Sequence, residues 1–324
     1  MPIVNNTRSL QVGIWNDFMN MWRQSQPKFE ETRTTFVYDV AYKKVRQGTF
    51  VFKESLPMVL PWGYGKGRSY QGFQDRQFQL ELTNYELTIP WSKFDEEDDQ
   101  LGDMRTHING AVDRYGILPV ILATEYINGV PVYNMSLKNT YDGASIFSAV
   151  DGDGNDRLRV SGGNIISGTG ITAAAILHDF AVAQQRFLDF SDPTAGLPIF
   201  DEAAATYNNM VAIIPNTLNE VFQKASGAEL IRTDPSNNAS ESNYLKGTFQ
   251  YKLNPFLRDT TDWYIVLKHP YYKPFIYSES PLENFNADMN NSDRAREFAE
   301  YAVYTHIRNR IGPLFPGCII KVNN

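Results

Sequence analysis

The sequence predicts an α+β fold, and three observations carry that expectation. Residues 77–89 and 300–310 alternate apolar and polar side chains, the period of a strand that buries one face. Residues 104–126 and 171–190 repeat their apolar side chains at helical spacing. Met210-Val211-Ala212-Ile213-Ile214 is apolar throughout, as a strand covered on both faces would be. Helices interspersed with strands, which are expected to pair antiparallel, define the class.

Composition bounds the answer. The chain has 324 residues, 42% hydrophobic and 13% aromatic, enough for one large or two ordinary domains and too apolar for disorder. A net charge of −7 demands no basic face, so general nucleic-acid binding is not implied. Cys318 stands alone, which excludes a disulfide framework and a cysteine-based metal site. Met1 to Asn6 lack the basic and apolar regions of a signal peptide, so none is expected. No run approaches 18 apolar residues, so no membrane partner is expected.

In chain order, Val12, Trp15, Phe18, Met19 and Trp22 make one apolar helical stripe that needs a surface to dock on. Residues 35–91 then read as a long β-hairpin. Its incoming arm carries Phe36-Val37-Tyr38 and Thr49-Phe50-Val51-Phe52, and its outgoing arm Gln77 to Ile89. The alternation changes parity at Thr83-Asn84, the mark of a bulge. Between the arms sits Leu60 to Ser69, with Trp62, Tyr64, Lys66 and Arg68 among glycines. A two-stranded hairpin is marginal by itself in water, so this arm is expected to lie on other copies of the chain.

The acidic run Asp95-Glu96-Glu97-Asp98-Asp99 suits a helix start. The helix after it is expected to break near Gly116, with Pro119 opening a second helix to Tyr126. Residues 129–170 read as loops with short strands. Thr172 is placed to cap a helix over 171–190. A strand at 210–214, a short helix to Ala225, strands over 244–256 and 263–267, and closing strands at 300–310 and 318–322 complete the pattern.

Few motifs suggest chemistry. Gly168-Thr169-Gly170-Ile171-Thr172-Ala173 fits a dinucleotide-loop spacing, but Val160 to Asn164 is a poor strand to precede it and Asp192-Pro193 a poor start for one to follow. Asp151-Gly152-Asp153-Gly154-Asn155-Asp156 matches half a calcium loop, with Asp156 where glycine belongs and Gly162 where the bidentate Glu belongs. His107, His178, His269 and His306 lack ligand spacing. No catalytic residue, cofactor or metal is expected, and the chain does not read as an enzyme.

The order of blocks resembles the major head subunits of Mu-like tailed bacteriophages. The carrying residues are Tyr85 to Ile89 running into Phe94 to Gly102, then Thr140-Tyr141-Asp142-Gly143, Ile214 to Leu218, Gly247-Thr248-Phe249, Asn254 to Leu257, Trp263-Tyr264 and Lys273 to Ile276. That family is similar in fold to the Hong Kong 97-type capsid protein. The resemblance implies an N-terminal arm (1–34), an extended loop (35–91), a peripheral domain with a spine helix (92–145 and 293–315) and an axial domain (146–292 and 316–324). It implies a major capsid protein that assembles as hexamers and pentamers of an icosahedral head around double-stranded DNA, in a virion built in the host cytoplasm. Scaffolding, portal and decoration proteins are the implied partners. Trp15, Trp22, Trp62, Tyr64, Lys66 and Arg68 are the candidate inter-subunit contacts. The alternatives are an encapsulin-like nanocompartment shell and, last, a nucleotide-binding enzyme using the Gly168 loop.

Overall fold

A computed structural model describes Asn20 and residues 39–42, 47–55, 74–92, 101–131, 133, 136–193, 196–232, 240–280, 285–288, 293–298 and 300–324. The stripe at 12–22, the acidic run at 95–99 and the hairpin tip lie outside these residues, Asn20 excepted.

Among the described residues, two five-stranded sheets organise the fold. The first is built on β13 (Glu300–Pro313). One edge of β13 pairs with β4 (Thr83–Ser92), from Asn309 opposite Thr83 to Glu300 opposite Ser92. Its other edge pairs with β12 (Phe285–Asp288) and, farther along, with β11 (Phe275–Ser280). β1 (Asp39–Tyr42) adds to β11 in parallel. The second sheet runs β5 (Ile165–Ser167), β14 (Ile319–Asn323), β10 (Trp263–Leu267), β6 (Met210–Ile214), β9 (Gln250–Leu253). Its β14–β5 and β6–β9 ladders are parallel. The sheets are therefore mixed, which corrects the expectation of antiparallel pairing alone.

Central strands β6 and β10 are buried at every residue, because two cores meet across them. Met210, Ala212, Ile214, Trp263, Ile265 and Leu267 face a core shared with α2 (Ala173–Asp189) and α3 (Asn219–Gly227). Ile213, Tyr264 and Val266 face the opposite core, with α1 (Leu101–Asn128) and the β11–β13 region. Both faces are covered by protein, so an unbroken apolar run is the stable choice. Phe180 of α2 sits 4.3 Å from Phe249 and 5.3 Å from Trp263, centroid to centroid, anchoring the first core.

Three further sequence expectations change. Among the described residues, the hairpin pairs from Gln47–Glu81 to Ser55–Gln74, as β2 (Gln47–Ser55) and β3 (Gln74–Glu81). Beyond Leu82 the outgoing arm leaves its partner and joins β13. The parity flip has this cause: Leu80 and Leu82 are buried, then Tyr85, Leu87 and Ile89 turn inward instead. Second, α1 runs unbroken through Gly116 and Pro119. Proline in a helix interior costs about 3 kcal/mol. Burial of Leu118, Val120, Leu122 and Ala123 around it offsets that cost. Third, residues 244–248 form a turn and not a strand, and β9 starts at Gln250. Asn243 imposes the turn: its Nδ2 donates to the Ala225 and Ala228 carbonyls at 2.7 and 3.0 Å, while its Oδ1 accepts from Leu245 N at 3.0 Å. Remaining elements are the ribbon β7 (Leu230–Arg232) with β8 (Ser240–Ser242), and α4 (Asp293–Phe298). Thr172 caps α2 as expected, accepting from Ala175 N at 3.2 Å.

Candidate assembly surfaces

Trp15, Trp22, Trp62, Tyr64, Lys66 and Arg68 all lie outside the described residues, so the structure tests none of these expected contacts. What it describes is the stem that carries the last four. β2 and β3 form a two-stranded sheet of their own, with Phe50 opposite Phe78 and a register irregularity between Lys53 and Ser55. Nine strand residues rise about 3.3 Å each, a stem of roughly 30 Å. Among the described residues, no third strand pairs with it. An antiparallel ribbon of this kind needs further packing to be stable.

Strand β4 closes one edge of the first sheet. Its outward positions Glu86, Thr88 and Pro90 are exposed. A carboxylate and a residue without an N–H discourage uncontrolled strand pairing there. The C-terminal end of α1 is tied to the segment after β9 by Asn128, whose Nδ2 donates to the Phe256 carbonyl at 3.0 Å and whose Oδ1 accepts from Arg258 N at 3.2 Å. That clasp brings exposed Phe256 beside the end of α1, where Val130 is also exposed. Tyr271 is the most exposed large apolar side chain among the described residues, at 84%. Sequence reasoning flagged none of these three, since loop residues show no periodicity to read.

Sequence reasoning also missed the polar node that braces this framework. Arg157 is 1% exposed. Its Nε donates to Asp142 Oδ2 at 2.7 Å and its Nη2 to Asp142 Oδ1 at 3.0 Å. Nη1 reaches the carbonyls of Ser145 and Ile146 at 2.8 and 2.9 Å, and Nη2 the Thr140 hydroxyl at 2.6 Å. Asn164, fully buried, donates to the carbonyls of Ile146, Pro316 and Ile319. Arg157 and Asn164 thus fasten residues 140–164 to the turn before β14. Leu158 and Arg159 just beyond hold φ of 54° and 60°, a left-handed conformation that costs of order 1–3 kcal/mol each.

Both motif loops are held by contacts within the chain. Residues 160–164 form bends and turns, as the sequence suggests, and only the three-residue β5 precedes the Gly168 loop. The loop is filled by the protein. Thr169 N donates to both carboxylate oxygens of buried Asp179 at 3.2 and 3.1 Å, and Gly170 N to the Asn324 side chain at 3.1 Å. A Cβ on Gly168 would lie 2.0 Å from Asn324 Oδ1. A carboxylate occupying the loop N–H groups repels phosphate, so this arrangement disfavours a dinucleotide. In the Asp151 loop, Asp151 Oδ1 accepts from Asp153 N and Asn155 N at 3.0 and 2.8 Å, closing a turn on itself. Among the described residues, no group of three His, Cys, Asp or Glu side chains could hold a metal ion. No described helix is long and apolar enough to cross a membrane.

Comparison with known proteins adds the fold family. Neither the protein-family models nor the curated proteins gave a match. Solved structures do match over nearly the whole chain. The capsid of an empty GTA particle aligns at TM-score 0.57 and 10% identity, covering 90% of this chain and 89% of that one. The procapsid of bacteriophage JBD30 aligns at TM-score 0.52 and 16% identity, covering 98% and 76%. A virus-like particle from Pyrococcus furiosus aligns at TM-score 0.50 and 9% identity, covering 95% and 97%. The chain therefore has the α+β fold of phage capsid proteins. These neighbours span several particles and do not single out Mu-like heads.

Proposed function

We propose that this chain is the major capsid protein of a tailed phage or prophage. It assembles with its own copies into hexamers and pentamers of an icosahedral head that encloses double-stranded DNA without reading its sequence. Its role is structural, not enzymatic. The observation that carries this reading is fold agreement with capsid and procapsid subunits across about nine-tenths of the chain. The stem β2–β3, a ribbon with no third strand among the described residues, supports it, because such a ribbon gains stability by lying on a neighbour. In this reading residues 1–34 are the arm, 35–91 the extended loop, 92–145 with 293–315 the peripheral domain carrying α1 and β13, and 146–292 with 316–324 the axial domain carrying the second sheet. Scaffolding, portal and decoration proteins join it in a virion assembled in the host cytoplasm. Summed apolar burial and complementary charge would hold the shell, with each exposed ion pair adding about 0–1 kcal/mol.

Negative-stain electron microscopy of the recombinant protein, run beside its sedimentation profile and repeated with co-expressed scaffolding protein, tests this. Closed shells, tubes or hexameric rings are expected. A small discrete species under both conditions that also binds a nucleotide tightly would overturn the reading. The likeness to a virus-like particle keeps an encapsulin-like compartment as the second reading. Packaged enzyme in place of DNA would favour it.

A further inference from the structure

The loop joining β10 to β11 crosses from one sheet to the other, and its tight turn is built on a histidine side chain. His269 Nδ1 accepts from two backbone donors at once, Tyr271 N at 3.2 Å and Tyr272 N at 3.1 Å. An imidazole nitrogen that accepts carries a lone pair, so the ring proton sits on Nε2. The ring stacks on Tyr272 at 5.1 Å and meets Phe200 edge-on at 5.5 Å. It also lines a surface groove of about 460 Å³ with Leu188, Ile199, Asp201 and Glu202. Pro270 supplies no N–H, so the two amides bound to Nδ1 are the first two the turn has to satisfy.

We propose that His269 is a proton-operated latch: neutral, it closes the 269–272 turn, and protonated on Nδ1 it releases that turn and the exposed Tyr271 the turn presents. The added proton converts the acceptor into a donor aimed at two other donors, so both bonds are lost together. The surrounding charges are mixed. Lys273 on the same loop opposes a cation, Asp201 across the groove favours one, Glu202 lines the groove, and Asp192 and Cys318 act on Tyr272 behind the ring. Burial, then Lys273, hold the imidazole below its ordinary value, and Asp201 offsets them in part. A depressed histidine keeps the latch closed above the unfolded value, roughly 6.5, and opens it as pH falls through the folded one. The latch is a property of the folded chain and stands whether or not the chain builds shells.

Amide hydrogen exchange of the full-length protein, read by mass spectrometry on peptides spanning 268–275 and corrected for intrinsic rates, tests it at about pH 7.5 and about pH 4.5. Protection at Tyr271 and Tyr272 is expected to fall on the order of tenfold at the lower pH. His269→Asn keeps an acceptor for both amides but does not titrate, so it should stay protected at both values. It carries the same carboxylates as the natural chain and so subtracts their titration. His269→Ala should be unprotected at both. Equal protection of the natural chain at the two values overturns the latch. So does a loss in His269→Asn matching that of the natural chain, or full protection in His269→Ala at the higher value.

Discussion

Arg157 shows what a buried charge requires. Its guanidinium sits at 1% exposure against the Asp142 carboxylate, which is itself nearly buried. Removing one partner of such a pair leaves an uncompensated charge and costs about 3–5 kcal/mol. Asp142→Asn should therefore lower unfolding free energy by about that much in urea titration, with little change in slope. A loss under about 1 kcal/mol would mean that water reaches the node. Cys318 makes the opposite case. Complete burial raises its thiol well above the ordinary range, with Lys273 opposing in part. The thiolate is the reactive form, so a disulfide reagent should leave the native protein unlabelled and label it on unfolding. Labelling at the rate of a free thiol under native conditions would contradict this burial. Asp259 gives the pH dependence. Its Oδ1 accepts from Asp262 N and Thr261 N, both at 2.9 Å, and these bonds hold its carboxyl below the usual range. A depressed carboxyl contributes stability that is present above its unfolded pKa, roughly 3.9, and is lost as pH falls through the folded value. The stability gap between the natural protein and Asp259→Asn should thus be present near neutral pH and close on acidification. A gap that stays constant with pH would refute the assignment.

At the scale of elements, local signals held where backbone chemistry was in command. Thr172 was readable as a cap, and it caps. Thr172→Ala should cost about 1 kcal/mol by thermal or urea unfolding, and Thr172→Ser nearly nothing. Local signals failed where packing overrode them. Pro119 and Gly116 look like a break, yet α1 spans 28 residues because its second half is buried on nearly every side. Its length, about 42 Å at 1.5 Å per residue, makes it the long brace behind the first sheet. The hairpin shows both outcomes. Its parity flip was visible in Leu80 and Leu82 against Tyr85, Leu87 and Ile89. That the flip marks a change of partner from β2 to β13 was not visible, because pairing with residues 300–309 is over 200 positions away in sequence.

At the scale of the molecule, the two five-stranded sheets and three longer helices of the described residues enclose two main cores that share strands β6 and β10. The β2–β3 stem stands apart from both sheets in its strand pairing. If the chain is the proposed shell subunit, deleting Leu60 to Gln71, which lie between β2 and β3 in sequence, should leave a folded, soluble subunit that no longer makes closed shells. Circular dichroism and electron microscopy together read both halves of that outcome. Normal shells from the deletion would sink the hairpin's proposed role in assembly.

The sequence alone determined the class, the main helices, the buried central strands and the strand character of β2 and β3, because periodicity and capping are local and survive without a partner. It also carried enough block order to suggest a capsid subunit. Tertiary structure decided the mixed strand order, the continuity of α1, the Arg157 node and the filling of the Gly168 loop by Asp179 and Asn324. Each depends on groups brought together by the fold, from Arg157 and Asp142, 15 residues apart, to Gly170 and Asn324, 154 apart. No periodic pattern records such pairs, since their energy comes from burial and desolvation that exist only once the chain has closed around them.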